Sequence, residues 1–122
     1  MIDHFGINCA DLRATASFYD KVLATLGHRR LMDFGAAIGY GTDMPAFWLS
    51  TFDGVGPNRE VHLAFTAGDV DAVRAFFDAA VEVGAEVLHE PRLWPEYHEH
   101  YFGAFVRDPD GNNVEAVCHR PG

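Results

Sequence analysis

The side chains of this sequence that could carry chemistry are mainly histidines. There are seven in 122 residues, whereas average usage gives about three. Imidazole changes charge near neutral pH and is the commonest metal ligand in proteins, so the excess indicates acid–base or metal chemistry. His98 and His100 lie in residues 93–101, a stretch that also holds tyrosine, tryptophan and glutamate. Such a stretch can supply a general acid or base, or one wall of a pocket.

The elements that must position these residues repeat once along the chain. Placing His4 over His62 aligns further residues of the same type. At this offset of 58, Asp11 aligns with Asp69 and Phe18 with Phe76. After gaps, Gly27 aligns with Gly84 at an offset of 57 and Phe34 with Phe102 at an offset of 68. The sequence therefore consists of two related modules, residues 1–54 and 58–119, joined by a stretch rich in glycine, proline and asparagine at 53–58.

Each module predicts the element order βαβββ. An aspartate, Asp11 or Asp69, stands where a helix N-cap is expected, and a glycine, Gly27 or Gly84, stands where a helix ends. The residues between them have apolar side chains at helical spacing. The strands are predicted at 2–9, 29–33, 35–39 and 45–50 in module one, and at 60–66, 86–90, 101–107 and 113–117 in module two.

The composition restricts the class of protein. A hydrophobic fraction of 48% and a net charge of −9 are typical of a folded acidic domain. The negative charge disfavours nucleic acid and membrane surfaces as partners, since both need clustered cations. Two cysteines without a CxxC pair, and an N-terminus without a basic and apolar leader, indicate a cytoplasmic protein.

The paired modules, the opening His4 strand and the segment FVRDPDGNNVEAV resemble the vicinal oxygen chelate superfamily. This superfamily includes glyoxalase I, fosfomycin-resistance proteins, bleomycin-resistance proteins and extradiol dioxygenases. The resemblance covers nearly the whole chain and implies a single glyoxalase-like domain over residues 1–122. It implies an α+β fold in which two tandem βαβββ modules form a cup-shaped mixed sheet. It also implies metal chemistry and a homodimer.

The resemblance further implies where a metal would bind. The superfamily places ligands on the first and last strand of each module, and the four positions here hold His4, Trp48, His62 and Glu115. Tryptophan is no ligand, and glyoxalase I-like enzymes have a carboxylate or glutamine at that position. Two histidines and one glutamate remain, which suits a divalent ion such as Fe, Mn, Zn or Ni.

Strand alternation is consistent with this assignment. It puts His4 and Asn8 on one face of their strand, and it flanks Glu115 with Val114 and Ala116. A glutamate among apolar neighbours is costly to bury unless it is paired or bound to a metal. The alternative is a hydrogen-bonded polar cluster without a metal.

Other residues are candidates for the rest of a site. Tyr101 and His100 are candidate catalytic residues, as a general acid or base at the open side of the metal. The candidates for the substrate pocket are Trp48, Tyr97, His98 and Asn8. The alternative for residues 93–101 is an ordinary solvated loop, and the alternative for Trp48 is that it only fills volume.

Two functions follow from these residues. The first is a metal-dependent enzyme of the glyoxalase or dioxygenase type that acts on a small oxygenated substrate, with a lyase, an isomerase and a dioxygenase reaction all open. The second is a non-catalytic protein that sequesters a small molecule, as bleomycin-resistance proteins do. In a homodimer, the modules pair within one chain or are exchanged between chains. The short connection at 53–58 is compatible with exchange.

Overall fold

The computed structural model describes residues 1–120, whose elements follow the order βαβββ twice. Module one contains β1 (Phe5–Asn8), α1 (Leu12–Ala24), β2 (Arg29–Asp33), β3 (Ala37–Gly41) and β4 (Pro45–Ser50). Module two contains β5 (His62–Thr66), α2 (Val70–Glu82), β6 (Val87–Leu93), β7 (Phe102–Arg107) and β8 (Asn113–Cys118). The predicted α+β fold of two tandem modules is confirmed.

Hydrogen bonding divides the strands into two mixed four-stranded sheets, one in each module. The strand order is β1-β4-β3-β2 in the first sheet and β5-β8-β7-β6 in the second, so β1 and β5 are edge strands. Both run parallel to their neighbours, with Gly6 opposite Trp48 and Ala64 opposite Glu115. Trp48 and Glu115 therefore occupy equivalent places in the two sheets.

The two helices begin and end as the sequence predicts. The Asp11 side chain accepts a hydrogen bond from the amide of Ala14, and the Asp69 side chain accepts one from Ala72. After each helix a glycine takes a positive φ, 86° at Gly27 and 84° at Gly84. The left-handed glycine lets the chain turn back and satisfy the last carbonyl groups of the helix.

Five strands begin later than predicted, by three residues at β1, by two at β3 and β5 and by one at β6 and β7, and β6 ends at Leu93 instead of 90. Turn hydrogen bonds precede β3 and β7. The predicted strand at 35–39 starts at Ala37, since the Phe34 amide donates to the Ala37 carbonyl (2.8 Å) and Gly35 has a φ of 86°. The predicted strand at 101–107 starts at Phe102, because the Trp94 amide donates to the Tyr101 carbonyl (2.8 Å) and closes a loop over residues 94–101.

Aromatic packing and a buried polar network join the modules. The Tyr19 ring of α1 lies 4.9 Å from that of Phe47 and 6.3 Å from that of Phe65 in module two. The Tyr19 hydroxyl donates to Asp108 Oδ2 (2.7 Å), and the Thr15 hydroxyl donates to Asp110 Oδ2 (2.7 Å). The turn between β7 and β8 thus anchors α1 of the other module. No helix within residues 1–120 has the length and apolarity needed to span a membrane.

Candidate functional site

A histidine and a carboxylate meet where β5 and β8 run side by side. His62 Nε2 lies 2.9 Å from Glu115 Oε1, and His62 Nδ1 lies 3.1 Å from the carbonyl oxygen of Asn113. The Glu115 side chain is 1% exposed, whereas that of His62 is 50% exposed. One partner is buried in the sheet, and the other is open to solvent.

The hydrogen bonds of the His62 ring show where its proton lies. A carbonyl oxygen only accepts, so the contact with Asn113 assigns a proton to Nδ1. In the neutral ring Nε2 then presents a lone pair to Glu115 Oε1, and two acceptors face each other across 2.9 Å. Such a contact is favourable only with a cation between the two atoms, which is a shared proton or a metal ion.

Tyr101 holds the other oxygen of the same carboxylate. Its hydroxyl donates a hydrogen bond to Glu115 Oε2. Burial, and then this hydrogen bond to a carboxylate, raise the pKa of Tyr101 above its ordinary value, so the phenol stays protonated and remains a donor. A Cβ added at Gly103 would lie 3.0 Å from Glu115 Oε2, so the absence of a side chain at that glycine makes room for the carboxylate.

Aromatic side chains pack around Phe105, the residue opposite Glu115 in the sheet. The ring of His62 stacks on Phe105 with centroids 5.9 Å apart, and His89 packs edge-on against Phe105 and Trp94 at 5.5 and 4.9 Å. The indole Nε1 of Trp94 donates to the carbonyl of Gly103 (3.0 Å). The sequence pattern did not single out His89 or Phe105 for the site. The only signal was their alternation along β6 and β7, which puts them on one face.

His4 lies apart from this pair within one chain. Its Nδ1 is 2.7 Å from Asp3 Oδ1, and its side chain is 59% exposed. Among residues 1–120, no three histidine, cysteine, aspartate or glutamate side chains are grouped so that they could hold a metal ion. The structure therefore brings together two of the three predicted ligands, His62 and Glu115, and the three-ligand centre stays a prediction.

Trp48 occupies in module one the place that Glu115 has in module two. Its ring is parallel to that of Phe34 within 9°, with centroids 6.2 Å apart. It lies over Gly39, where an added Cβ would come within 2.9 Å of the indole. Asn8, at the end of β1, is exposed. Trp48 and Asn8, two of the four predicted pocket residues, thus lie in module one. Neither belongs to the pair formed by His62 and Glu115 in module two.

The remaining candidates lie in the loop of residues 94–101. Tyr97 is 59% exposed and stacks on Trp94 with centroids 5.7 Å apart. His98 Nε2 is 2.9 Å from His119 Nδ1, which fits one N–H···N hydrogen bond. His100 Nε2 lies 3.2 Å from Glu99 at the surface. In this arrangement Tyr101 is the residue of the loop whose side chain bonds to the pair, and the roles of the others stay predictions.

Comparison with known proteins identifies the fold family. Residues 4–117 match the description of a glyoxalase-like domain. The chain belongs to the glyoxalase-like domain family. The resemblance to the vicinal oxygen chelate superfamily is thereby confirmed. No curated protein matches the sequence significantly.

Solved structures of this family share the fold of the glyoxalase-like chain. A glyoxalase/bleomycin resistance protein from Albidiferax ferrireducens T118 is 26% identical, with a TM-score of 0.84 over 95% of this chain and 97% of that one. A lactoylglutathione lyase from Agrobacterium tumefaciens is 21% identical, with a TM-score of 0.71 over 97% and 92%. A fosfomycin resistance protein from Mesorhizobium loti is 14% identical, with a TM-score of 0.69 over 97% and 91%. The last two comparisons show the shared fold alone.

Proposed function

We propose that this glyoxalase-like protein is a metal-dependent enzyme acting on a small oxygenated substrate, which chelates a divalent metal held by His4, His62 and Glu115. The observation that carries the proposal is the contact between His62 Nε2 and Glu115 Oε1, which lie 2.9 Å apart on neighbouring strands. The reaction class is that of a lyase, an isomerase or a dioxygenase, and the metal is Fe, Mn, Zn or Ni.

The spacing of the two atoms supports a metal at this place. Two ligands in adjacent positions of an octahedral ion, each about 2.1 Å from it, lie about 3 Å apart. The 2.9 Å between His62 Nε2 and Glu115 Oε1 matches that spacing. A neutral imidazole nitrogen and a carboxylate oxygen are also donors that first-row divalent ions accept. A proton shared between the same two atoms is the alternative that the experiment must distinguish.

We infer that the third ligand, His4, comes from a second copy of the chain. In one copy it pairs with Asp3 instead. The surface near it suits association, since Ile2 is 71% exposed, Phe5 38% and Met44 74%. The edge of β1 is also unpaired within the described residues. Burial of apolar side chains and pairing of an edge strand both favour a homodimer.

The chain's own residues hold the donor atoms in position. The Tyr101 hydroxyl binds Glu115 Oε2 and leaves Oε1 facing His62. The Asn113 carbonyl orients the imidazole so that Nε2 points at the same place. A bound metal would supply a Lewis acid for the charge that develops on the substrate oxygens. Trp94 and Phe105, both buried, keep water from the carboxylate and so strengthen its electrostatic interactions.

Metal binding is the test of this proposal. Metal-free protein should gain thermal stability on addition of Mn²⁺, Fe²⁺, Zn²⁺ or Ni²⁺, by about 2.7 kcal/mol when the free metal is at 100 times its Kd. Glu115→Gln keeps the shape of the side chain and should abolish the gain, as should His62→Ala. Glu82→Gln, on the exposed side of α2, is the matched control and should respond like the unmodified protein. Absence of any gain with all four metals would refute the metal centre.

Mixing two inactive variants tests whether a second copy supplies His4. His4→Ala and His62→Ala should each lose metal binding. A mixture that exchanges subunits should regain up to one site per heterodimer, because an intact His4 from one chain meets an intact His62 from the other. No regain, or a monomer in sedimentation that still binds metal, would show that the ligands belong to one chain.

A non-catalytic binding protein is the second candidate function. The parallel rings of Phe34 and Trp48 favour it, because Phe34 is 71% exposed and could stack on a flat ligand. The net charge of −9 suits a cationic one. If this function holds, bleomycin should bind in the presence of a metal chelator, and Trp48→Ala should weaken that binding while Glu115→Gln leaves it unchanged.

We infer that the partners are a small molecule and a second copy of the chain, in the cytoplasm. Cys9 and Cys118 support this location, because both are free and buried. Free thiols persist in a reducing compartment, whereas oxidising ones favour disulfides.

A further inference from the structure

A cavity of about 460 Å³ lies between the modules. It borders β5 along residues 62–65 and extends to the end of α1 and to the β3–β4 turn. Its apolar walls include Phe5, Tyr40, Met44, Phe47, Leu63 and Phe65. The volume and the apolar lining are those of a small-molecule pocket, which in proteins encloses about 300–1,000 Å³.

The lining of this cavity carries no formal charge. Among residues 1–120, no lysine, arginine, aspartate or glutamate contributes to it. Away from His62, an ionised group would lose hydration without meeting a counter-charge in the lining, which is unfavourable. The part of the cavity lined by Phe5, Tyr40 and Met44 therefore favours an uncharged group over a phosphonate or a carboxylate.

Two histidines provide polar edges to the cavity, and they differ in what they can still bind. Both nitrogens of His62 already have partners, Asn113 and Glu115. The Nδ1 atom of His28 is buried and has no hydrogen-bond partner. Burial lowers the pKa of His28, so its ring is neutral and can donate or accept one hydrogen bond. The buried Nδ1 does not reach the cavity surface, so a ligand hydroxyl or carbonyl would bond to the other ring nitrogen of His28.

We propose that the cavity binds an uncharged apolar arm of the substrate, an alkyl or aryl group carrying at most a hydroxyl or carbonyl that bonds to His28. This inference rests on the proposed function, because His62 forms part of the cavity wall and is also a ligand of the proposed centre. It restricts the substrate class to small oxygenated molecules with a hydrophobic arm. It excludes substrates whose arm is charged, such as a peptide thiol with free carboxylates.

Calorimetry with 4-alkylphenols tests the cavity without any metal. Phenol, 4-ethylphenol and 4-butylphenol are titrated into metal-free protein. Affinity should rise about threefold to fourfold for each added methylene. 4-Butylbenzoate, which has a similar shape and a charge, should bind at least tenfold more weakly than 4-butylphenol. Equal affinity along the series, or equal binding of the benzoate, would overturn the proposal.

Two tryptophan substitutions locate the binding. Ala46 is exposed and lines the cavity, so Ala46→Trp should fill it and reduce 4-butylphenol affinity at least tenfold. Ala75 is exposed on α2 and does not line the cavity, so Ala75→Trp should bind like the unmodified protein. His28→Leu should weaken 4-butylphenol about tenfold but leave butylbenzene unchanged, because only the phenol has a hydroxyl.

The result for phenol binding in the cavity can be distinguished from the result for metal binding at His62 and Glu115. A chain that binds the phenols but no metal retains the cavity and loses the proposed enzyme function. A chain that binds metal but no phenol retains the centre and overturns the cavity proposal. Ile2 and Met44 line the cavity and also belong to the surface proposed for association. Phenol binding is therefore measured on the protein as it associates in solution, and a cavity that a second copy fills also overturns the proposal.

Discussion

Replacing Tyr19 with phenylalanine removes one buried hydroxyl and keeps the ring that packs against Phe47. The hydroxyl donates to Asp108 Oδ2 at 2.7 Å, Tyr19 is fully buried, and Asp108 is 5% exposed. Because α1 belongs to module one and Asp108 to module two, this hydrogen bond links the modules. We expect the substitution to weaken both the fold and the contact between its halves.

The size of the effect follows from the partners that Asp108 retains. Its Oδ1 still accepts from the amides of Asp110 and Asn112, and its Oδ2 still accepts from the Asn112 side chain. The carboxylate therefore stays paired but loses one of four donors. A hydrogen bond to a charged group contributes about 1.5–3 kcal/mol, so Tyr19→Phe should lower the free energy of unfolding by about 2 kcal/mol. For a domain of this size Tm should fall by about 8 °C.

Tyr40→Phe is the matched control for this experiment. The Tyr40 hydroxyl also donates to a carboxylate, Asp20 Oδ1 at 2.8 Å, but the Asp20 side chain is 38% exposed and binds Arg30 through both oxygens. Water replaces the lost donor there, so the cost should stay below about 1 kcal/mol. Urea unfolding of both variants measures the difference. Equal losses, or a loss below about 0.5 kcal/mol for Tyr19→Phe, would refute the reasoning from burial.

Three further outcomes are expected. Burial raises the pKa of Tyr19 and Tyr40 above the ordinary value of 10. The unfolded chain therefore ionises first, and each tyrosine should lower the free energy of unfolding by about 0.4 kcal/mol at pH 10 and about 1.4 kcal/mol at pH 11. Urea unfolding at pH 9, 10 and 11 measures this loss. Burial, and then nearby Asp110, raise the pKa of the Cys9 thiol to about 11. At pH 8 Ellman's reagent should therefore react with Cys9 only after unfolding. Rapid reaction of this thiol in the native protein would contradict the expectation. Tyr101→Phe should weaken Mn²⁺ binding about tenfold in a metal titration, because Glu115 Oε2 loses the hydroxyl that holds it. Unchanged affinity would exclude a role of Tyr101 in positioning Glu115.

The parts of the fold that depend on neighbours in sequence were predictable. Asp11 and Asp69 bond to amides three residues ahead, and Gly27 and Gly84 bring each helix to its end. The repeat supported the prediction for each module, because an N-cap aspartate, a helical pattern of apolar residues and a final glycine occur in the same order twice. The strand starts at 37 and 102 were missed because turn bonds take up the preceding residues.

The contacts between the residues of the candidate site were predictable only in part. Parallel pairing of the first and last strand of a module puts His62 beside Glu115, and the repeat together with the family pattern indicated both residues. The contact of Tyr101 with Glu115 was not predictable, because the hydroxyl reaches it only after the loop of residues 94–101 folds back over the sheet. The predicted acid–base role of Tyr101 therefore remains a prediction, and the structure gives its hydroxyl a positioning contact.

The sequence by itself determined the two βαβββ modules, their caps and turns and the faces of their strands, because these follow from interactions within a few residues. Only the tertiary structure decided that Asp108 and Asp110 anchor α1, that His4 is separated from His62 and Glu115 in one chain, and that an uncharged cavity lies between the modules. Those features depend on how two modules pack against each other. Packing joins residues about ninety positions apart, and no local pattern encodes such a distance.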